Sequence, residues 1–272
     1  MFDWTALKSQ VAESPAPESA DVGTSTAQVA RAPEVAAALE QASGPRPAPA
    51  RRQSLVEKYR PRRLADIVGQ PEAVAELRGF LAAPRSKPLI FHGPTGTGKT
   101  SAAWAVAGEV GCDLDGWCGG VESISSGDHT ADTLREKWPG LWTRPFSGSG
   151  MRVLIVNETE KLNDTVDRLW QDKLENMPPR CIIIFTTNDF AGLSRRLRGR
   201  CRPIQFHASA SRLDAAAREL IGRIWQGEAG GPCPPGVAER VIQASTSGGE
   251  LSFREVVEGV ERELELRAFA TA

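Results

Sequence analysis

The octapeptide GPTGTGKT, Gly93 to Thr100, constrains this chain more than any other stretch. The apolar run PLIFHG at 88–93 leads into it, and the alanine-rich SAAWAVAGEV follows. Strand, glycine-rich turn and helix in that order make a phosphate-binding loop. Glycines let the backbone wrap an anion with its N–H groups while the helix N-terminus adds positive potential. Gly93, Pro94, Thr95, Gly96, Thr97 and Gly98 supply the wrap. In such a loop the lysine, Lys99, neutralises the β and γ phosphates of ATP, and the Thr100 hydroxyl sits on Mg²⁺. A chance glycine-rich turn is the alternative, and it would not need the flanking strand and helix.

The surrounding pattern extends that unit. Apolar runs at 88–93, 152–157 (RVLIVN), 181–188 (CIIIFTTN) and 202–206 (RPIQF) read as strands covered on both faces, alternating with helical stretches. The expectation is an α/β fold with a parallel sheet. After residue 208 the strands stop. Leu213, Ala217, Leu220, Ile221 and Ile224 recur at helical spacing, followed by Val237, Val241 and Ile242, then Phe253, Val256, Val257, Val260 and Leu264. Three amphipathic helices of that size predict a small all-helical lid resting on the α/β domain.

Residues 11 to about 50 are dominated by Ala, Pro, Glu, Ser and Thr, the composition of a linker. The expected division is therefore 1–53 tail and linker, 54–207 α/β domain, 208–272 helical lid. Phe2, Trp4 and Leu7 could form a short apolar face at the start of the tail, as a docking peptide or as a frayed terminus.

With 33 basic and 34 acidic residues there is no global attraction to nucleic acid, so any such contact must come from a local patch. Two exist, RRQSLVEKYRPRR at 51–63 and RRLRGRCR at 195–202. No apolar run reaches the length of a bilayer span and the first ten residues lack the form of a secretory signal, so the expectation is a soluble intracellular protein without membrane contact. Five cysteines without a CxxC pair fit reduced thiols better than a disulfide framework. Cys112 and Cys118 flank DLDGW, where a zinc site would need further ligands.

Together "EKYRP", "LADIVGQ" and "GPTGTGKT" resemble the AAA+ ATPases of the replication factor C type, the small subunits of sliding-clamp loaders. The resemblance covers roughly 54–265. It implies an AAA+ P-loop domain with a helical lid, binding ATP and Mg²⁺ between subunits of a homo- or hetero-oligomer. It also implies DNA and a sliding clamp, or another DNA-bound protein, as partners in replication or repair. Tyr59, Arg60, Pro61 and Val68 match the stretch that lines the adenine pocket. Tyr59 and Val68 could equally be core packing, and Arg60 and Arg63 a solvated charge run.

Further site residues follow from the resemblance one by one. LIVNETE at 154–160 occupies the Walker B position, where an Asp-Glu pair is usual. Asn157 stands in place of the Asp that organises Mg²⁺, and Glu158 keeps the water-activating position. Charge-assisted hydrogen bonds exceed neutral ones by about 1 kcal/mol, so the amide should weaken metal affinity on the order of tenfold. Glu160 reads as a solvated neighbour, with help in holding the metal as the alternative. Asn188 matches the sensor 1 residue that holds the attacking water and reads the γ-phosphate, though a strand-end asparagine can also cap a turn. In LRGRCR, Gly199 replaces the usual serine and Arg200 matches the arginine finger that serves a neighbouring subunit; the run could instead grip a phosphate backbone. Gly249-Glu250-Leu251-Ser252 puts serine where sensor 2 arginine is usual. A capping box, with Ser252 as N-cap and Glu255 reaching back, shifts that role to Arg254, which could otherwise be an ordinary surface arginine.

Two departures temper the implied function. The Asn157 substitution makes a hydrolysis-impaired, nucleotide-dependent switch an alternative to an active ATPase. The sequence also ends near the close of the lid, where clamp-loader subunits usually continue into a collar, so remodelling or recruiting a DNA-bound protein is a second alternative.

Overall fold

The computed structural model describes residues 53–114 and 120–271; the linker, the Phe2, Trp4 and Leu7 face and Cys118 lie outside them. Gln53–Ala272 separates as one unit of the chain. It opens with a short helix, α1 (Leu55–Lys58), capped by Ser54 and followed by α2 (Pro71–Leu81), which begins on proline. The strands are β1 (Lys87–His92), β2 (Val121–Ile124), β3 (Arg152–Val156), β4 (Cys181–Thr187) and β5 (Arg202–Gln205). Between them run α3 (Lys99–Glu109), α4 (Ala131–Gly140), α5 (Asp164–Glu175) and α6 (Arg195–Arg200).

All five strands pair in parallel in the order β2-β3-β4-β1-β5. The chain leaves β1 for the far edge and later crosses back over it to reach β5. A crevice therefore opens at the carboxyl end of β1, where such sheets bind ligands. The near-continuous apolar runs resolve into two faces. On one, Leu89, Phe91, Val153, Ile155, Ile182, Ile184 and Ile204 pack against α2 and α3; on the other, Ile90, Leu154, Val156, Ile183 and Phe185 pack against α4, α5 and α6. β4 is buried at every position, as a central strand covered on both sides must be.

Strand β2 departs from the sequence reading, which finds four strands. VESI is short and only its last residue is buried, so this edge strand carries none of the apolar signal that marks the others.

The remaining helices are α7 (Ala210–Ala229), α8 (Val237–Ala244) and α9 (Phe253–Thr271), with a two-stranded hairpin, β6 (Thr246–Ser247) and β7 (Glu250–Leu251), before α9. Their apolar faces form a third cluster around Ile221, Ile224, Trp225, Val256 and Val260. Leu55 from α1 is buried in that cluster, and Tyr59 and Val68 pack on it. The segment before α2 thus shares its core with the last three helices. Gln70, almost fully buried, closes the junction: its Nε2 donates to the His207 carbonyl at 2.8 Å and its Oε1 accepts from the His207 N–H at 2.9 Å.

Candidate nucleotide-binding site

The loop of Gly93–Gly98 leaves β1 and enters α3 through Gly98, which takes the left-handed conformation at φ 94°. Its middle residue, Gly96, carries φ 78°, and a Cβ there would come within 2.0 Å of the Ser252 hydroxyl oxygen. The start of α9 thus rests on the loop at a point that has room only for hydrogen. The Phe253 N–H donates to the Gly96 carbonyl at 3.0 Å and fixes the start of α9 there.

A cavity of about 220 Å³ opens over this loop. Of the residues proposed from the sequence, Tyr59, Arg60, Pro61, Val68, Thr95, Gly96, Thr97, Gly98, Lys99, Thr100, Glu158, Asn188 and Arg254 line it. Gly93 and Pro94 stand behind Lys99, whose ammonium donates to their carbonyls at 2.7 Å each and to Asn188 Oδ1 at 2.9 Å. Lys99 is buried at the head of α3, and burial pulls its pKa down to about 8; the Glu160 charge opposes that shift and Arg254 adds to it.

Asn157 follows β3 and meets the loop directly. Its Oδ1 accepts from the Thr100 hydroxyl at 3.1 Å and from the Thr186 hydroxyl at 3.3 Å. Its backbone carbonyl contacts His129 Nε2 at 2.6 Å. Glu158 adopts a left-handed backbone, φ 54° and ψ 53°, unusual for a residue with a side chain. Its carboxylate pairs with Lys161, whose hydrogen bond holds the carboxyl below its usual range.

Glu160 is not the solvated neighbour expected from the sequence. Its Oε1 accepts from Asn188 Nδ2 at 2.8 Å and its Oε2 from the Asn188 N–H at 3.3 Å. The turn at Glu158 brings it there, and a run of letters carries no sign of that turn. The capping box is half made: Ser252 Oγ accepts from the Glu255 N–H at 3.4 Å, but the Ser252 N–H donates to the Ser245 carbonyl rather than to Glu255. Arg254, two residues past that cap, nonetheless reaches the cavity.

Elsewhere on the cavity lining, the Tyr59 hydroxyl donates to Glu228 at 2.8 Å, an acceptor shared with Lys58. Burial, then this bond, pushes the phenol up to about 12. Arg60 pairs with Glu57 while lining the cavity. Arg200 lies apart from the cavity, donating to the Arg196 carbonyl and pairing with Glu175 on α5. Cys112 is buried, donates to the Met151 carbonyl and has its thiol pushed up to about 11; no group of three or more His, Cys, Asp or Glu suited to a metal occurs among the described residues. Among the same residues, no helix is long and apolar enough to cross a membrane.

Comparison with known proteins agrees with this geometry. Residues 89–208 match the family model described as ATPase family associated with various cellular activities (AAA). The replication factor C large subunit of Methanoregula boonei is 36% identical over 172 residues, covering 61% of this chain and 34% of that protein. The small subunit of Methanosarcina acetivorans is 27% identical over 228 residues, covering 80% of this chain and 66% of that protein. The chain spans only about a third to two-fifths of the large subunits from Methanoregula boonei and Methanothrix thermoacetophila. A solved structure of the Thermotoga maritima RuvB Holliday junction branch migration motor superposes with TM-score 0.60 at 22% identity, over 79% of this chain and 68% of that one, a likeness of fold. Residues 89–208 thus match an AAA ATPase domain, and the chain is similar in sequence to subunits of replication factor C.

Proposed function

We propose that the cavity binds ATP with magnesium, and that the chain hydrolyses it slowly as one subunit of an AAA assembly acting on DNA. The observation that carries this reading is the convergence of Lys99, Thr100, Asn157, Glu158 and Asn188 at the carboxyl end of the sheet, with direct hydrogen bonds from Lys99 to Asn188 and from Thr100 to Asn157. Lys99 would exchange its loop carbonyls for phosphate oxygens, and the loop amides would wrap the same anion. Tyr59, Pro61 and Val68 would bound the base, with Arg60 at the edge. Glu158 would orient the attacking water once released from Lys161. Arg254 would reach the phosphates from the lid, sensing whether it is closed.

Thr100 and Asn157 present two oxygen donors 3.1 Å apart, which fits magnesium only in company with phosphate oxygens and water. When bound, the ion supplies positive charge to the phosphate oxygens. Asn157 contributes a dipole where a carboxylate would contribute a charge, so binding there should be weaker on the order of tenfold.

The outward place of Arg200 supports a role towards a neighbouring subunit's nucleotide. Similarity to replication factor C subunits supports other AAA subunits, DNA and a sliding clamp or another DNA-bound protein as partners. The same similarity supports a soluble intracellular setting. The residue division 1–53, 54–207 and 208–272 remains our working assignment of tail, P-loop domain and lid.

The test is ATP binding and turnover by the full chain, alone and with primed DNA. Lys99→Ala should abolish binding, and Glu158→Gln should keep binding while abolishing turnover. Undiminished DNA binding by Lys99→Ala without nucleotide would make the nucleotide site secondary. A second reading, an ATP-dependent switch with negligible turnover, is favoured by one observation: Glu158 is engaged by Lys161 beside a neutral Asn157. Turnover absent with DNA present, and restored by Asn157→Asp, would select it.

A further inference from the structure

The two bonds between Glu160 and Asn188 have a chemical consequence for the cavity. Thr159 is buried and its hydroxyl donates to the Thr186 carbonyl at 3.0 Å; the Glu158 N–H donates to the Thr186 hydroxyl at 3.3 Å. These bonds pin the short turn Thr159–Lys161 to the end of β4, opposite Asn188. Glu160 then takes the Asn188 side-chain nitrogen on one carboxylate oxygen and its backbone N–H on the other.

This fixes which end of the amide faces Lys99. The nitrogen is turned to the carboxylate at 2.8 Å and the oxygen to the ammonium at 2.9 Å. Flipping the amide would set N–H against ammonium and carbonyl oxygen against carboxylate, unfavourable at both ends. Phosphate oxygens accept hydrogen bonds, so the oxygen end of an amide cannot read them. It can hold Lys99, or accept a hydrogen bond from a water.

We infer that Glu160 is a positioning residue that locks Asn188 with its oxygen towards the cavity, so that this oxygen orients a water or Lys99. This rests on the reading of the cavity as an ATP-hydrolysing site.

Two measurements on the full chain test it. The Asn188 side-chain amide is assigned by its loss from the ¹H–¹⁵N spectrum of Asn188→Ser. Its bonded proton should exchange at least tenfold more slowly in the wild type than in Glu160→Ala, and equal rates overturn the inference. In steady-state turnover with primed DNA, Glu160→Ala should lower kcat at least tenfold with KM for ATP within threefold. Asn188→Asp alone should be similarly impaired by repulsion from Glu160. The double variant Glu160→Gln/Asn188→Asp should recover at least fivefold over it, because the introduced glutamine can donate to the new carboxylate and still leave an acceptor facing the cavity. A double variant no better than Asn188→Asp, or a Glu160→Ala that raises KM at unchanged kcat, overturns the inference. If the wild type binds ATP without turnover, the hydrolysis reading fails, and the exchange ratio alone decides the orientation: tenfold upholds it, equality refutes it.

Discussion

The Thr100 hydroxyl donates to the Asn157 side-chain oxygen across 3.1 Å, so the head of α3 and the end of β3 are tied through Asn157. Asn157 also accepts from Thr186 at 3.3 Å. Asn157→Leu removes the shared acceptor of the half-buried Thr100 hydroxyl and the buried Thr186 hydroxyl, which should lower the free energy of unfolding by about 1–3 kcal/mol. Asn157→Asp keeps an acceptor for both hydroxyls and should stay within about 1 kcal/mol of wild type. Urea titrations of the two variants check this; equal stability of the leucine variant and wild type would show that the tie contributes nothing.

Lys99, with its pKa lowered to about 8, gives nucleotide affinity a pH dependence. Phosphate favours the ammonium, so affinity should hold below pH 8 and weaken towards tenfold per pH unit above it. The sign for the free protein is opposite. An unfolded lysine keeps its proton up to about 10.5, so the unfolded chain binds more protons between the two values, and the nucleotide-free fold gains stability as pH rises through them. ATP titrations between pH 6.5 and 9.5 decide this, with Lys99→Arg expected to be flat over the range.

Gly227 and Tyr59 form a steric pair. A Cβ at Gly227 would lie 2.2 Å from the Tyr59 hydroxyl oxygen but 3.4 Å from the next ring atom. Gly227→Ala should therefore destabilise the protein by about 1–3 kcal/mol. In a Tyr59→Phe background the clash is gone, and alanine should stabilise α7 by up to about 1 kcal/mol through helix propensity. Thermal unfolding of the four proteins checks the reversal; the same sign in both backgrounds would refute the contact.

Gln70 holds both backbone groups of His207 between β5 and α7. Gln70→Leu keeps the volume but leaves that N–H and carbonyl unpaired, and should cost about 2–4 kcal/mol. Its ATP affinity should fall as well, because Val68 stands beside the cavity two residues away. Calorimetry on the variant measures both; loss of neither would mean that the junction does not depend on this residue.

Much of the cavity was legible because its chemistry is local in sequence. Gly93 to Thr100 form one continuous turn, and β1, β3 and β4 announce themselves as apolar runs that must be covered on both faces. What escaped depends on relationships across the fold. β2 is an edge strand with one buried residue, so its pattern resembles a loop. Glu160 reaches Asn188, 28 residues away, only because Glu158 turns through a left-handed conformation. Gly227 is an ordinary helix-interior glycine until the Tyr59 hydroxyl is placed against it. Ser252 and Glu255 have capping-box spacing, yet the Ser252 N–H is taken by Ser245 through the preceding hairpin.

The function turns on whether the neutral Asn157 leaves a slow ATPase or none. Steady-state ATP turnover of wild type, Asn157→Asp and Glu158→Gln, side by side with magnesium and primed DNA, measures this directly. The predicted result is slow, DNA-stimulated turnover by wild type, abolished in Glu158→Gln, and raised in Asn157→Asp with a magnesium requirement lower by about tenfold. Turnover absent from wild type but present in Asn157→Asp would contradict slow hydrolysis and leave the protein an ATP-dependent switch.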